Sequence, residues 1–195
     1  MQHDRHQFLV ELWQDGREFD ADQPDRLDRR RNLEPESAEL LNIIVRTLAP
    51  AAVLELGTSN GFSSIWLADA LEPTGGRLVT VDNDSGRAAE AAVNLLQAGV
   101  AGLVDQKVAD AGQVLREEPA GTWPLIFLDA ERTQYVQYWP DLDRILAPGG
   151  LLIIDNCISH ADQVRDFRAL IDASPTFRST LVATGAGLLL VSKDR

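Results

Sequence analysis

Five acidic side chains recur at matching places in this 195-residue sequence: Glu55 in VLELG, Asp82 in VTVDN, Asp110 in KVAD, Asp129 in LIFLDA and Asp155 in LLIIDN. Each stands at the end of a strand-like run, and the four aliphatic residues before Asp155 fit a strand buried on both faces of a parallel sheet. One acid at a strand end often merely caps a turn. Five at the ends of successive strands make an acidic rim along the edge where open α/β sheets bind ligands. The adjacent pair Asp155 and Asn156 is then either a loop cap or part of a site.

Around the first of these acids the sequence reads VLELGTSNGFSS, with Gly57 and Gly61 in a turn before a helical run. Glycines there let backbone approach a ligand and reach positive φ without a Cβ penalty. The spacing is not the dinucleotide G-x-G-x-x-G, because Ser59 and Phe62 stand where glycines are required. No Gly-Lys-Ser/Thr follows, so it is not a P-loop either. With Glu55 beside it, the turn favours a neutral or cationic ligand over a pyrophosphate. One βα unit later, Asp82 is placed to accept hydrogen bonds from both ribose hydroxyls of a nucleoside.

Positioning these residues requires alternating elements, and the chain supplies them. Up to about residue 50 the pattern is helical, with Pro35 opening a second helix. Beyond Pro50, strand-like AAVLELG, RLVTVDN, LVDQKVAD, PLIFLDA and GLLIIDN alternate with helical runs, as in a sheet with helices on both faces. Gly75-Gly76, Gly99 and Pro148-Gly149-Gly150 mark boundaries, the last expected to stop a helix before its strand. Pro140 predicts a break or kink near Trp139. The closing FRSTLVATGAGLLLVSKD holds two strand-like runs and no helix between them, which predicts an antiparallel hairpin. The fold class is therefore α/β: a Rossmann-like, doubly wound, seven-stranded sheet, mostly parallel with an antiparallel C-terminal hairpin. One domain is expected over residues 1–195, with a helical segment over 1–50 and the Rossmann-like core over 51–195.

A formal net charge of -12 disfavours a surface that binds nucleic acid. The basic stretch Arg26 to Arg31, with Asp25 and Asp28 interleaved, reads as a solvated helical face. Cys157 is the only cysteine, which excludes an internal disulfide and a Cys-rich zinc site. Neither a signal peptide nor a membrane-length apolar segment is visible, so a cytoplasmic protein with no membrane partner is expected.

With ELGTSNGFSS, TVDND, FLDAERTQY, APGGLLIIDN and GAGLLLVSK in that order, residues 33–195 resemble the class I S-adenosylmethionine-dependent methyltransferases. Within them the chain is most similar to the cation-dependent O-methyltransferases of the catechol and caffeoyl-coenzyme A type. The resemblance implies S-adenosyl-L-methionine as cofactor, with Gly57, Thr58, Gly61 and Ser63 around its amino acid part. It places Glu55 in the same motif, Asp82 on the ribose, and Asp110, with Ala109 and Ala111, by the adenine. Asp129, Asp155 and Asn156 match the family's metal ligands, three hard oxygen donors suited to Mg2+, or to Ca2+ or Mn2+. A homodimer is implied by the resemblance alone.

Methyl transfer from a sulfonium is an in-line displacement, so the protein must align donor and acceptor and make the acceptor oxygen anionic. Where the family carries a Lys three residues past the metal Asp, this chain has Arg132. A guanidinium stays protonated and is no general base. Arg132 either orients an anionic substrate or forms a surface ion pair with Glu131. The base is then Asp129 itself, a metal-bound hydroxide, or His160, which otherwise simply starts the next helix. Tyr135, Tyr138 and Trp139 fit helix packing better than an acceptor pocket, and Phe62, Trp66 and Cys157 fit the core. The expected activity is divalent-cation-dependent O-methylation of a small catechol-like or hydroxylated metabolite. The alternatives are a metal-independent methyltransferase and a non-catalytic S-adenosylmethionine-binding regulatory protein.

Overall fold

The computed structural model describes residues 1–25 and 29–195. Seven strands form one sheet: β1 Ala52–Leu56, β2 Arg77–Asp82, β3 Val104–Val108, β4 Trp123–Leu128, β5 Leu146–Ile154, β6 Phe177–Val182 and β7 Leu188–Lys193. Their order is β3-β2-β1-β4-β5-β7-β6. β1 to β5 run parallel, whereas β7 inserts antiparallel between β5 and β6. The order reverses between β1 and β4, which opens a crevice at their carboxyl ends.

Among the described residues there are seven α-helices: α1 His3–Asp22, α2 Pro35–Leu48, α3 Phe62–Leu71, α4 Ser85–Gln97, α5 Ala111–Glu117, α6 Tyr135–Ile145 and α7 Ala161–Ala173. The unbroken apolar runs of the central strands now have their reason. Val53, Leu125, Phe127 and Ile153 face a core shared with α1 to α4. Leu54, Ile126, Leu128, Leu152 and Ile154 face a second core shared with α5 to α7. Alternate side chains point to opposite faces, so both faces must be apolar.

The N-terminal helices are tied to this body by buried charge. Arg5 bonds Asp69 Oδ1 at 2.6 Å, Glu72 Oε2 at 2.8 Å and the Ala98 carbonyl at 2.9 Å. Asp69 also receives Arg46 at 2.7 Å and Asn42 at 3.2 Å. Each buried charge is paired and hydrogen-bonded, the condition under which burial is tolerated.

Two local expectations are corrected. α6 runs unbroken through Pro140. The only carbonyl this deprives of an intrahelical donor is that of Val136, which is 44% exposed and lies on the solvated side. Likewise, Pro148-Gly149-Gly150 does not precede β5 but lies inside it. Between the pairs Trp123 with Leu146 and Leu125 with Leu151 the register shifts, and a bulge absorbs the turn residues. Among the described residues no helix is long and apolar enough to cross a membrane.

Candidate active site

At the carboxyl edge of the sheet lies a cleft of about 860 Å³ whose wall includes Gly57, Thr58, Asp82, Asp110, Asp129 and Asp155. The glycine turn is set by backbone contact. Gly57 has φ +105°, and a Cβ there would stand 2.3 Å from the Asp129 carbonyl oxygen. Only glycine lets the end of β1 press against the end of β4 in this way. Gly61, at φ +85°, caps α3 where it meets Ala91 of α4. From β2, Asp82 ties down the same turn: its Oδ2 accepts from the Thr58 and Ser59 amides at 3.1 and 2.8 Å. Asp110 caps α5 through the Gln113 amide at 2.8 Å and also lines the cleft, so capping and site placement coexist. Ser63 reaches the wall at the first turn of α3.

Register brings the other acids together. Leu128 pairs with Leu56 on one side and Ile154 on the other, so Asp129 and Asp155 are neighbours one step beyond the ladder. Asn156, in the left-handed region at φ +66°, turns its amide back between them. Its Nδ2 donates to Asp129 Oδ1 at 3.1 Å and to Asp155 Oδ2 at 2.8 Å. Asp155 is 3% exposed, and its Oδ1 is buried with no hydrogen-bond partner. Burial and the neighbouring Asp155 push Asp129 well above the usual carboxylate range, and Arg31 and Arg132 pull it partly back. Burial raises Asp155 as well.

Among the described residues no group of three or more His, Cys, Asp and Glu is placed to hold a metal. The set at this edge is two carboxylates and one amide. Its chemistry fits a hard divalent cation, and the orphaned Asp155 Oδ1 is the acceptor that such an ion would satisfy.

Residues 4–193 match the family model described as O-methyltransferase. The chain belongs to the O-methyltransferase family. It is 35% identical over 130 residues to a catechol O-methyltransferase of Niastella koreensis, covering 65% of this chain and 58% of that protein. A catechol O-methyltransferase of Mycobacterium tuberculosis is 35% identical over 123 residues, 63% of this chain and 56% of that protein. The aligned segment thus spans less than two thirds of either relative. Among solved structures, the O-methyltransferase TomG of Streptomyces achromogenes, in complex with SAM, superposes with a TM-score of 0.80 at 29% identity. That match covers 96% of this chain and 90% of that one. An O-methyltransferase from Bacillus cereus, in complex with SAH, gives a TM-score of 0.79 at 25% identity, covering 96% and 91%.

Glu55 does not join the acidic rim of this family member. It is fully buried, off the cleft wall, and receives Ser63 Oγ at 2.5 Å, Thr80 Oγ1 at 2.7 Å and the Ser64 hydroxyl. Thr58 Oγ1 adjoins Thr80 Oγ1 at 2.7 Å, so Glu55 anchors the glycine turn from beneath. Burial pushes its carboxyl up to about 7 from 4.5, with the three hydroxyls pulling it back. Folding raises this pKa, so the group's stabilisation is full below about 4.5 and is lost as pH rises through about 7. Glu55→Gln is expected to flatten that slope, worth on the order of 3 kcal/mol. Urea midpoints at about pH 5 and pH 8 check it: wild type should lose more stability between them than the variant, in which the raised carboxyls of Asp129 and Asp155 remain. Parallel profiles would contradict the assignment.

His160 stands on the cleft wall at the start of α7, half-buried, with Nδ1 2.8 Å from Ser159 Oγ. Arg132 is not a surface residue paired with Glu131. It is 3% exposed, lines the cleft, and donates through Nε to Gln163 Oε1 at 2.9 Å. Of the aromatics on α6, Tyr135 and Trp139 pack in the core against Phe167, whereas Tyr138 reaches the cleft. Cys157 is buried, which pushes its thiol up to about 12 and makes it a poor nucleophile.

Sequence reasoning missed the segment before α2. Arg26 to Asp28 lie outside the described residues, but Arg29, Arg30 and Arg31 are not helical and all line the cleft. Asp20 of α1 accepts the Arg30 and Arg31 amides at 2.6 and 2.9 Å, and Ser59 Oγ donates to the Arg30 carbonyl at 2.8 Å. Arg30 also pairs with Glu90 of α4 at 2.6 Å. The only signal was the density of arginine in an acidic chain.

Proposed function

We propose that this chain is an S-adenosylmethionine-dependent O-methyltransferase that requires a divalent cation and acts on a hydroxyl of a small catechol-like acceptor. The observation that carries this is the buried, unpartnered Asp155 Oδ1 beside Asp129 and Asn156. A hydrogen-bonded pocket wall has no reason to leave that atom without a partner, and a cation site does. Residues 1–195 act as one catalytic domain in this reading, with a second copy as partner in a homodimer. The anchoring of α1 through Arg5 supports the first point, and family likeness alone supports the second.

In this reading Gly57, Thr58, Gly61 and Ser63 surround the amino acid part of the cofactor. Asp82 meets the ribose, and Asp110 the adenine. Asp129, Asp155 and Asn156 hold the cation. When bound, that ion supplies Lewis acidity that lowers the pKa of a chelated hydroxyl. The rest falls to the chain. The acidic edge favours a positively charged methyl donor. Asp129 or His160 takes the hydroxyl proton, both being on the cleft wall. Tyr138, beside Asp110 and Gly112, adds an aromatic edge on the adenine side of the cleft.

Calorimetry with S-adenosylhomocysteine tests the cofactor half of this reading. Saturable one-to-one binding, with or without magnesium, is expected. Absence of binding would contradict it.

A further inference from the structure

Arg132 has a chemistry that cation binding leaves unused. It lies three residues beyond Asp129, on the 3-10 turn that enters α6, and is 97% buried against the cleft wall. Burying a guanidinium is costly unless an anion meets it. Its charge reaches Asp129 and Asp155. Neither lies within ion-pair distance, and among the described residues no carboxylate does. Gln163 of α7 holds Nε at 2.9 Å, which fixes the plane of the group. The paired Nη edge remains, and that edge takes a carboxylate through two parallel hydrogen bonds.

We infer that Arg132 determines acceptor specificity by pairing with a carboxylate on the acceptor, so that the substrate class is a small hydroxylated carboxylic acid. This rests on the O-methyltransferase reading above. A carboxylate fits better than a phosphate ester, because Glu34, Asp129, Glu131 and Asp155 share the same wall and would repel a dianion more strongly. Arg31, on the segment before α2, adds a second positive charge to this wall. A lysine at position 132 would keep the charge and lose the planar fork.

The test is calorimetry at saturating S-adenosylhomocysteine and magnesium, with 3,4-dihydroxybenzoate, catechol and 3,4-dihydroxybenzylamine as probes. In wild type the benzoate should bind at least about tenfold more tightly than catechol, with the amine weakest. Arg132→Met should bring the benzoate-to-catechol ratio near one, and Arg132→Lys should restore part of it. Equal binding of the three by wild type would overturn the inference. So would a ratio that survives in Arg132→Met while all three weaken together, since that is the behaviour of a structural counter-ion. Should Arg132→Met fail to fold, the wild-type ranking decides alone. Turnover is read separately: the expected ranking with no methylation of any probe supports the role of Arg132 and contradicts the methyltransferase reading.

Discussion

Asp155→Ala is expected to abolish the magnesium dependence of methyl transfer and to lower the rate by about a thousandfold, while S-adenosylhomocysteine binds nearly as before. The size follows from the several kcal/mol that a Lewis-acidic ion contributes at a developing oxyanion, at about 1.4 kcal/mol per factor of ten. Selectivity for the metal step follows from position. Asp155 follows β5, whereas the residues proposed for the cofactor lie at or just beyond the ends of β1, β2 and β3. Removing the carboxylate also frees Asn156 Nδ2 from one of its two partners, so the amide loses the geometry that sets it beside Asp129. Initial rates against magnesium concentration, paired with calorimetry, check both halves. If magnesium dependence survives the substitution, the cation is held elsewhere.

Gly57→Ala should be the most damaging single change to the scaffold. At φ +105° a side chain is strained whatever the space around it, at a cost of about 1–3 kcal/mol. Its methyl would also stand 2.3 Å from a backbone oxygen, which has no rotamer by which to escape. Overpacking of that kind adds about 1–3 kcal/mol. Together these predict a loss near 4 kcal/mol, and a fall in Tm of roughly 10 °C for a chain of this size. Relief requires β1 to part from β4 at Asp129, so cation and cofactor sites loosen together. Differential scanning calorimetry and S-adenosylhomocysteine titration of the same sample check it. A variant with unchanged Tm and affinity would show that the close approach is not needed.

The acidic edge was legible because a buried parallel strand announces itself as an aliphatic run, and the residue that ends the run ends the strand. Asp82, Asp129 and Asp155 obey this, whereas Asp110 follows the exposed edge strand β3 by two residues. Glu55 does not obey it, and the reason is one of register. It is the penultimate residue of β1, paired in the ladder with Thr80 and Phe127, so its side chain turns into the sheet face. Counting back two residues from Gly57 would have separated it from the rest. Pro140 and the Pro-Gly-Gly stretch misled for a related reason: exposure excused a missing donor in one case, and a bulge absorbed the turn in the other. The arginines before α2 were beyond reach. Their place on the cleft depends on Asp20, Ser59 and Glu90, contacts whose distance along the chain no local pattern encodes.

The most direct test of the central claim is methyl transfer from S-adenosylmethionine to a panel of vicinal-diol aromatics, assayed with magnesium and again with a chelator. The account predicts a methoxylated product that forms with magnesium and disappears on chelation. Product formation at the same rate in both, or cofactor binding with no turnover across the panel, would contradict it.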